Sequence, residues 1–215
     1  MNIKRFIFNP FGESTYLVWD PSTGDGVVVD PGMATGAEER EFDRFVGQHN
    51  IRINQIINTH LHLDHCWGNN YVVDKYGVKT AANLQDDFLG DRAADQARMF
   101  GIGGGEFKPV HIDVPLTDGD IIKVGSGELK VLEVPGHSPG SIALYDAADG
   151  WVIVGDALFA GAVGRTDLPG GDFPTLARSI RAKLYSLPGA TTVYPGHEQT
   201  TTIAREKASN PYVKG

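Results

Sequence analysis

Five of the seven histidines and two of the aspartates stand in short motifs whose residue types could bind metal ions. They are His60, His62, Asp64 and His65 in Thr59-His-Leu-His-Leu-Asp-His65, His137 in Pro135-Gly-His-Ser-Pro-Gly140, Asp156 in Val154-Gly-Asp-Ala157, and His197 in Tyr194-Pro-Gly-His-Glu198. Three imidazoles and a carboxylate in one short run would be costly to bury unpaired, and metal coordination is the ordinary way to satisfy them. We therefore interpret these residues as metal ligands.

The spacing within the first motif indicates how one stretch of chain could serve two neighbouring ions. Residues i and i+2 of a segment that leaves a strand in extended form point the same way, so His60 and His62 could bind one ion together. Two residues later the chain turns into a predicted helix. That turn would direct Asp64 and His65 towards an adjacent position, so one run would supply two sites.

The other three candidates are predicted to complete these sites. His137 stands beside a glycine in a tight loop and would complete the first site, and His197 would complete the second. Asp156 follows a buried apolar strand, where its carboxylate could bridge two cations about 3.5 to 4 Å apart. Nitrogen and oxygen ligands suit zinc, iron or manganese and disfavour a soft thiolate site. We expect two divalent transition-metal ions, with zinc as the leading candidate.

Other residues of the same types are predicted to have structural roles. A lone histidine is usually packed or facing solvent, and we assign His49 and His111 to that class. Cys66 directly follows the first motif and is expected to point into the packing as a small hydrophobic residue. The stretch 136–140 matches the G-x-S-x-G motif of serine hydrolases, but that motif requires a following helix. Here residues 141–145 are predicted to form a strand, which disfavours a serine nucleophile.

Hydrophobic periodicity and turn signals predict strands in each half of the chain, with helices following them. Strands are predicted at 2–8, 14–19, 26–30, 55–59, 110–114, 121–124, 129–134, 141–145, 151–154 and 191–194. Helices are predicted from about 37 to 49, from 64 to a stop at 77, between 84 and 100, around 176–184 and after 202, with a glycine loop at 101–105. This order favours an α/β (α+β) fold in which two mixed sheets pack face to face with helices outside, as one domain over 1–215.

Composition and charge restrict the classes of binding partner expected for this chain. The chain has 215 residues, 41% of them hydrophobic and 21% charged, which predicts a globular protein with a substantial core. A net charge of -8 without a basic run disfavours nucleic acid and anionic membranes. We find no signal peptide or membrane-spanning stretch, and the single cysteine fits a reducing compartment, so a cytoplasmic location is expected.

The motif series resembles the metallo-β-lactamase superfamily and, within it, the type II glyoxalases (hydroxyacylglutathione hydrolases), more closely the compact, single-domain bacterial ones. The likeness covers nearly the whole chain and includes Gly155-Asp-Ala-Leu-Phe159 and Gly164-Arg-Thr-Asp-Leu-Pro-Gly170 between the histidine motifs. It implies a four-layer αββα sandwich. The resemblance also implies the ligand sets, which are His60, His62 and His137 for the first metal, Asp64, His65 and His197 for the second, and Asp156 as the bridge.

The resemblance implies hydrolysis of a thioester such as S-lactoylglutathione, with water activated by the metals and Asp64. Two departures concern the thiol carrier. The chain stops soon after the last ligand histidine, where full-length glyoxalases II continue into a helical domain that helps to bind glutathione. Arg165 matches the family's basic carrier-binding residue, but Asp167 replaces the aromatic residue two positions on. Arg165 is therefore a candidate carrier anchor, or equally a salt-bridged surface residue.

Four other functions remain open at the level of sequence, two of them disfavoured. A persulfide dioxygenase would use one iron held by His60, His137 and Asp156. A nuclease or a lactamase of the same superfamily is a further alternative, although the acidic charge disfavours a nuclease. A non-enzymatic scaffold is disfavoured because the ligand series is complete.

Overall fold

The computed structural model describes residues 1–103 and 107–215, and the chain divides into two compact units. The first unit comprises Met1–Pro115 and Lys123–Gly127, and the second comprises Leu116–Ile122 and Glu128–Gly215. That the units together form one domain stays a prediction. In the predicted glycine loop, residues 101–103 have no helix or strand, while positions 104 and 105 lie outside the described residues.

A six-stranded mixed sheet forms the framework of the first unit. Its strands, in the spatial order β1-β2-β3-β4-β5-β6, are β1 (Asn2–Phe8), β2 (Glu13–Trp19), β3 (Asp25–Val29), β4 (Arg52–Ile57), β5 (Lys79–Ala82) and β6 (Val114–Pro115). The first three strands pair antiparallel and the next three pairings are parallel. Strand β2 is buried along its whole length, so its side chains are part of the core of this unit.

Helices of the first unit follow its parallel strands. They are α1 (Gly36–Gln48), α2 (Leu63–Cys66), α3 (Asn69–Tyr76), α4 (Asp87–Gly90) and α5 (Ala93–Met99), with a 3-10 turn at Leu84–Asp86. A capping box between Thr35 and Glu38 starts α1, which buries Phe42 and Val46 one turn apart. Gly77 ends α3 in the left-handed conformation, as the sequence predicts.

The continuous helix predicted from residue 64 is wrong, because α2 and α3 are separated at Gly68. The amide of Gly68 donates to the carbonyl of Pro31 at 2.7 Å. A Cβ atom at Gly68 would lie 2.2 Å from Sδ of Met33, so only glycine allows this approach. Packing against the loop after β3 therefore divides the helix. The helix predicted between 84 and 100 is likewise divided, into the 3-10 turn, α4 and α5.

A second six-stranded mixed sheet and a small hairpin belong mainly to the second unit, although the last two residues of the sheet's first strand along the chain and the first residue of its second strand are assigned to the first unit. The sheet, in the order β14-β13-β10-β9-β8-β7, has β7 (Ile121–Val124), β8 (Gly127–Glu133), β9 (Ile142–Asp146), β10 (Trp151–Gly155), β13 (Thr192–Pro195) and β14 (Thr201–Thr202). The hairpin pairs β11 (Leu158–Phe159) with β12 (Ala162–Val163). Strands β10 and β13 run parallel, whereas β9 is antiparallel to both β8 and β10.

Two helical segments complete the second unit. Helix α6 (Phe173–Ser179) continues into a π-helical turn at Ile180–Leu184, and α7 (Ile203–Ser209) follows β14. Leu176, Ile180 and Leu184 are fully buried in the core of this unit, which confirms the predicted helix and its apolar face. No helix in the described part of the chain is long and apolar enough to cross a membrane.

The predicted fold class is confirmed by the two mixed sheets and their helices. Most predicted strands occur within one or two residues of the expected bounds. The strand predicted at 110–114 is largely wrong, because only Val114–Pro115 pairs with β5. Four short strands were missed, and three of them have only two residues, which is too short for a recognisable pattern.

Candidate metal centre

In the first unit, the ligand run leaves β4 in extended form and enters α2, as predicted from its spacing. His62 has φ −67° and ψ 147°, and α2 begins at the next residue. The rings of His60 and His62 have centroids 4.8 Å apart. Both histidines are buried, and Leu61 between them packs into a separate apolar cluster with Cys66. Because successive side chains of an extended run alternate in direction, the two histidines lie on one side of the run and Leu61 lies on the other, in the apolar core.

Side chains from two other elements hold this extended run by its backbone. Asp86 accepts a hydrogen bond from the Leu61 amide at 3.2 Å. Gln96, buried in α5, accepts from the Leu63 amide at 3.0 Å and donates to the Leu61 carbonyl at 3.1 Å. The run thus receives the hydrogen bonds that a neighbouring strand would otherwise supply. Its backbone is fixed without a pairing partner in the sheet.

Asp30 is linked by hydrogen bonds to two of the candidate ligands, directly to His65 and through Thr59 to His60. This buried aspartate follows β3 and accepts hydrogen bonds of 2.6 Å from both the amide and the hydroxyl of Thr59. Its Oδ2 also accepts from Nδ1 of His65 at 3.0 Å. Burial raises the pKa of Asp30, and the hydrogen bonds from His65 and Thr59 oppose that effect. Asp30 itself, together with His60 and His65, offers ligand atoms within 4.8 Å of one another.

The hydrogen bonds around Asp30 fix the tautomers of two imidazoles. The Thr59 hydroxyl has one hydrogen, which it donates to Asp30, so it accepts at its 3.1 Å contact with Nδ1 of His60. His60 and His65 therefore both carry a proton on Nδ1. Metal-binding histidines are commonly oriented in this way by a carboxylate or another acceptor. We therefore interpret Asp30 as a supporting residue that orients ligands.

A second buried carboxyl lies beside this arrangement. Glu13 is fully buried in β2 and accepts from the Thr15 hydroxyl at 2.9 Å. Burial raises its pKa well above the ordinary range. Gly32 is required next to it, since a Cβ there would lie 2.0 Å from Oε2 of Glu13 and 2.5 Å from the carbonyl oxygen of Asp64. The loop after β3 therefore packs directly on the backbone of the ligand run.

The second unit brings its three candidate ligands together around one carboxylate. Oδ2 of Asp156 lies 3.5 Å from Nε2 of His137 and 3.6 Å from Nε2 of His197. Each residue directly follows a strand of the second sheet or stands within four residues of its end, since β8, β10 and β13 end at Glu133, Gly155 and Pro195. The carboxyl ends of β8, β10 and β13 thus bring the three ligands to one edge of the sheet, as the sequence predicts.

The loop that carries His137 is tightly fitted. A Cβ at Gly136, which has φ +132°, would lie 2.2 Å from the backbone nitrogen of Leu176 in α6. The amide of Asp172 donates to the Gly136 carbonyl at 2.8 Å. His137 donates from Nδ1 to the carbonyl of Arg165 at 2.7 Å, because a carbonyl can only accept. Its Nε2 lone pair therefore faces Asp156.

These contacts fit a bound cation in each unit. Nε2 of His137 faces an oxygen of Asp156, and Nε2 of His65 lies 3.7 Å from Oδ2 of Asp64. When the imidazole is neutral, its nitrogen and the carboxylate oxygen are both acceptors and repel each other, and a metal ion or a proton between them removes the repulsion. Imidazole and carboxylate ligands suit zinc, iron and other first-row divalent ions. The donor chemistry therefore agrees with the predicted metal binding.

Arg165 forms a pair with the residue that departs from the family pattern. Its Nε and Nη2 donate to the two carboxylate oxygens of Asp167, each at 2.7 Å. This hydrogen-bonded pair lowers the pKa of Asp167 to about 2 and raises that of Arg165. Both side chains are exposed. The salt-bridged arrangement left open from the sequence is the one observed.

The residues assigned structural roles are found in such roles. His49 caps the C-terminus of α1 with its ring 4.2 Å from that of Phe45, and His111 is exposed. Cys66 is buried among apolar residues, and burial raises the pKa of its thiol, so the prediction that it packs in the core is confirmed. A strand, β9, follows the serine motif, which confirms the objection to a serine nucleophile.

Sequence reasoning missed three supporting residues, Asp30, Asp86 and Gln96. Asp30 carried a usable signal, because it directly follows a buried strand as Asp156 does. Asp86 and Gln96 carried none, since their contacts with the run join residues 25 to 35 positions apart in the chain. Such partners are set by tertiary packing.

Comparison with known proteins identifies relatives over the whole chain. A family model described as the metallo-beta-lactamase superfamily matches residues 8–197. Hydroxyacylglutathione hydrolase GloC of Haemophilus influenzae is 34% identical over 220 residues, which cover 99% of this chain and 98% of that protein.

Solved structures give the same result. BLEG-1 B3 metallo-beta-lactamase superimposes with a TM-score of 0.88 at 28% identity, covering 100% of both chains. TTHA1623, solved in a di-iron-bound form, superimposes with a TM-score of 0.86 at 32% identity, covering 98% of this chain and 100% of that one. With the family model spanning both units and a relative of this identity matched end to end, the chain belongs to the metallo-beta-lactamase superfamily.

Proposed function

We propose that this protein is a binuclear metallohydrolase that cleaves thioesters of the S-lactoylglutathione type. One observation carries the proposal. In each unit, an imidazole whose Nδ1 proton is fixed by an acceptor directs Nε2 at a carboxylate oxygen, for His65 towards Asp64 and for His137 towards Asp156. Two such arrangements support two ions. The likeness to GloC supports the thioester class.

The proposed ligand sets are those implied by the family resemblance. His60, His62 and His137 would hold one ion, and Asp64, His65 and His197 would hold the other, with Asp156 shared between them. Zinc is the proposed metal, and iron is the first alternative because the related TTHA1623 was solved with two iron ions. Bound divalent ions would lower the pKa of a water molecule and polarise the substrate carbonyl.

The chain's own residues have distinct tasks in this proposal. Asp64 stands at the start of α2 with its carboxylate partly exposed, so it can hold the attacking water and accept its proton. Asp30 orients His65 and, through Thr59, His60 by the hydrogen bonds at Nδ1, so that Nε2 is the nitrogen that would bind metal. Gln96 keeps the run extended. Each group is fixed before substrate binds, which lowers the cost of reaching the transition state.

Leaving-group chemistry favours a thioester over an amide. A thiolate leaves without a proton near neutral pH, whereas an amine requires a general acid. The sequence presents no obvious acid for that task. Arg165 is the proposed anchor for a carboxylate or carbonyl of the thiol carrier, and Asp167 competes with the carrier for its guanidinium.

Charge and cysteine content support the rest of the proposal. A net charge of -8 favours a small-molecule substrate over nucleic acid. A single buried thiol agrees with a reducing, cytoplasmic location.

Elemental analysis tests the metal part of the proposal. The purified chain should retain two divalent ions, and His65→Ala or His137→Ala should each lose metal. His111→Ala is the matched control, because His111 is exposed and should leave the metal content unchanged. A native chain that binds no transition metal after reconstitution would contradict the proposal.

A substrate panel tests the reaction. The loaded enzyme should hydrolyse S-lactoylglutathione faster than a β-lactam. It should not consume oxygen with glutathione persulfide. Oxygen uptake with one iron per chain would instead establish the dioxygenase alternative, and lactam turnover above thioester turnover would establish a lactamase.

A further inference from the structure

The small hairpin of β11 and β12 lies beside the candidate ligands of the second unit. Its first strand begins at Leu158, two residues after Asp156. The ring of Phe159 in that strand lies edge to face with the ring of His197, with centroids 6.2 Å apart. The hairpin is therefore continuous with one candidate ligand and in contact with another.

The chain that leaves the hairpin fixes the third ligand, His137. At Gly164, directly after β12, a Cβ would lie 1.9 Å from the carbonyl oxygen of Asp156 and 3.0 Å from Nδ1 of His137. The next carbonyl, that of Arg165, accepts the hydrogen bond from Nδ1 of His137 at 2.7 Å. A shift of the hairpin would therefore move the acceptor that orients this imidazole.

The hairpin is too short to hold its own position. Its strands pair over two residues each, and an isolated two-stranded hairpin is at best marginally stable in water. The base of the hairpin is packed, because Leu158 is fully buried and Val163 packs against the same apolar cluster. At the tip, Gly161 is exposed and has a φ of +76°. The tip therefore requires partners from another element.

Helix α7 supplies these partners through a buried carboxylate. Glu206 is fully buried, and its Oε2 accepts from the amide of Gly161 at 2.9 Å. Oε2 also accepts at 3.0 Å from the side-chain amide of Asn210, which donates to the carbonyl of Ala162 at 3.1 Å. The other oxygen, Oε1, accepts from the hydroxyl of Thr201 in β14 at 2.6 Å. One carboxylate oxygen thus bonds to the hairpin and to Asn210, and the other bonds to the sheet.

We propose that Glu206 is a positioning residue for the metal ligands of the second unit. It fixes the tip of the hairpin, and the hairpin holds the carbonyl of Arg165 against His137. The inference rests on the proposed metal binding. Loss of a group that orients a metal ligand typically lowers metal affinity about 10- to 100-fold. Because Glu206 acts through the hairpin and does not touch a ligand, we expect the lower end of that range.

Competition with a zinc chelator tests this role without relying on activity. Glu206→Leu removes both acceptors and should weaken the binding of at least one zinc ion about tenfold. Glu206→Gln should bind zinc as the native chain does. Its carboxamide oxygen can accept from Gly161 and Asn210, and its NH2 group can donate to the hydroxyl of Thr201.

Thr201→Val is the matched control, because it removes a bond to the same carboxylate and leaves both bonds at Oε2 in place. Its free energy of unfolding should fall, whereas its zinc affinity should stay at the native value. Asn210→Asp is the second test variant. It loses the donor to Ala162 and keeps the oxygen that accepts from the amides of Tyr212 and Val213. It should also weaken zinc binding, and it replaces Glu206→Leu if that chain does not fold.

The possible outcomes separate this inference from the proposed function. A native chain that binds no zinc would contradict the proposed function before any variant is measured. Native affinity in Glu206→Leu and Asn210→Asp would overturn only the positioning role. An equal loss of affinity in Thr201→Val would also overturn that role, because reduced stability of the unit would then account for the effect. Glu206→Gln binding as weakly as Glu206→Leu would do the same, because the hydrogen bonds to the hairpin would then not be the cause.

Discussion

Oδ2 of Asp30 accepts a hydrogen bond of 3.0 Å from Nδ1 of His65, and Nε2 on the opposite side of that ring faces Asp64. The aspartate is fully buried and carries a positive φ of 49°. Asparagine adopts that backbone conformation readily, so Asp30→Asn can retain the turn. It cannot retain acceptors at both oxygen positions for Thr59 and His65.

We expect Asp30→Asn to lower metal affinity about 10- to 100-fold, because it removes the group that orients two ligands. Titration against a competing chelator measures this directly, without relying on activity. Asp20→Asn, which changes another buried aspartate of the same unit, should leave metal affinity within experimental error of the native value. Equal affinity in Asp30→Asn and the native chain would show that Asp30 does not support the ligands.

Gly136→Ala is expected to destabilise the second unit strongly. The added methyl group would overlap the backbone of Leu176 at 2.2 Å, and φ is +132°. Overpacking and backbone strain together predict a loss of about 3 kcal/mol in the free energy of unfolding. Urea denaturation measures this loss.

Gly150→Ala is the matched control. Gly150 also has a positive φ, of 70°, but its added Cβ would meet nothing within 4 Å. Backbone strain alone predicts a loss of about 1 kcal/mol there. Equal losses in the two variants would mean that the His137 loop is not held by its fit against α6.

The ligand series was predictable because each ligand stands where a strand ends, and strand ends can be recognised from local apolar runs. Asp156 follows β10 directly, and the extended backbone of His62 before α2 follows from the i, i+2 spacing. The supporting contacts were not predictable in this way. Gln96 reaches Leu63 across 33 residues, and no local pattern specifies that partner.

The misplaced elements have the same origin. The pattern from Trp67 to Tyr76 is helical, but the close approach of Gly68 to Met33 divides the helix. Strand β5 (Lys79–Ala82) has only four residues, and its place in the sheet depends on parallel pairing with β4 and β6. Local propensity identifies long periodic elements, whereas short elements and breaks are decided by tertiary packing.

Lowering the pH should remove the stabilisation that the ionised carboxylate of Asp20 contributes to the folded state. Its carboxylate accepts four hydrogen bonds of 2.6 to 2.8 Å from the amides and hydroxyls of Ser126 and Ser22. These bonds, those from Ser126 first, hold its pKa well below the ordinary range. A carboxyl whose pKa is lower in the folded state stabilises the fold above its unfolded pKa of about 3.9, and this contribution is lost as the pH falls through the folded pKa.

Asp20→Asn should therefore be less stable than the native chain at pH 7, and the difference should narrow as the pH falls below about 4. Urea denaturation between pH 7 and pH 3 measures the difference. Asp74→Asn, at an exposed position on α3, should be close to the native chain throughout. A difference that is constant across this range would show that the Asp20 hydrogen bonds do not depend on ionisation.

Removing the charge of Asp167 should strengthen the recognition of an anionic carrier. Asp167 occupies Nε and Nη2 of Arg165, which form one of the edges by which a guanidinium binds a carboxylate in bidentate fashion. With its pKa at about 2, Asp167 remains ionised at neutral pH and keeps this pairing. Asp167→Asn should lower KM for S-lactoylglutathione about threefold with little change in kcat, because binding to Arg165 no longer requires breaking a charged pair.

This gain in affinity, seen as the lower KM, should require both Arg165 and a thiol carrier that has a carboxylate. Adding Arg165→Met to Asp167→Asn should abolish it, and the lactoyl thioester of N-acetylcysteamine, which carries no carboxylate, should show no gain in any variant. Asp95→Asn removes the partner of Arg98 from an exposed pair in the first unit and controls for the general effect of a lost surface charge. A higher KM in Asp167→Asn would reverse the assignment, because Asp167 would then contact the carrier itself and the native pair would favour a cationic group at that position.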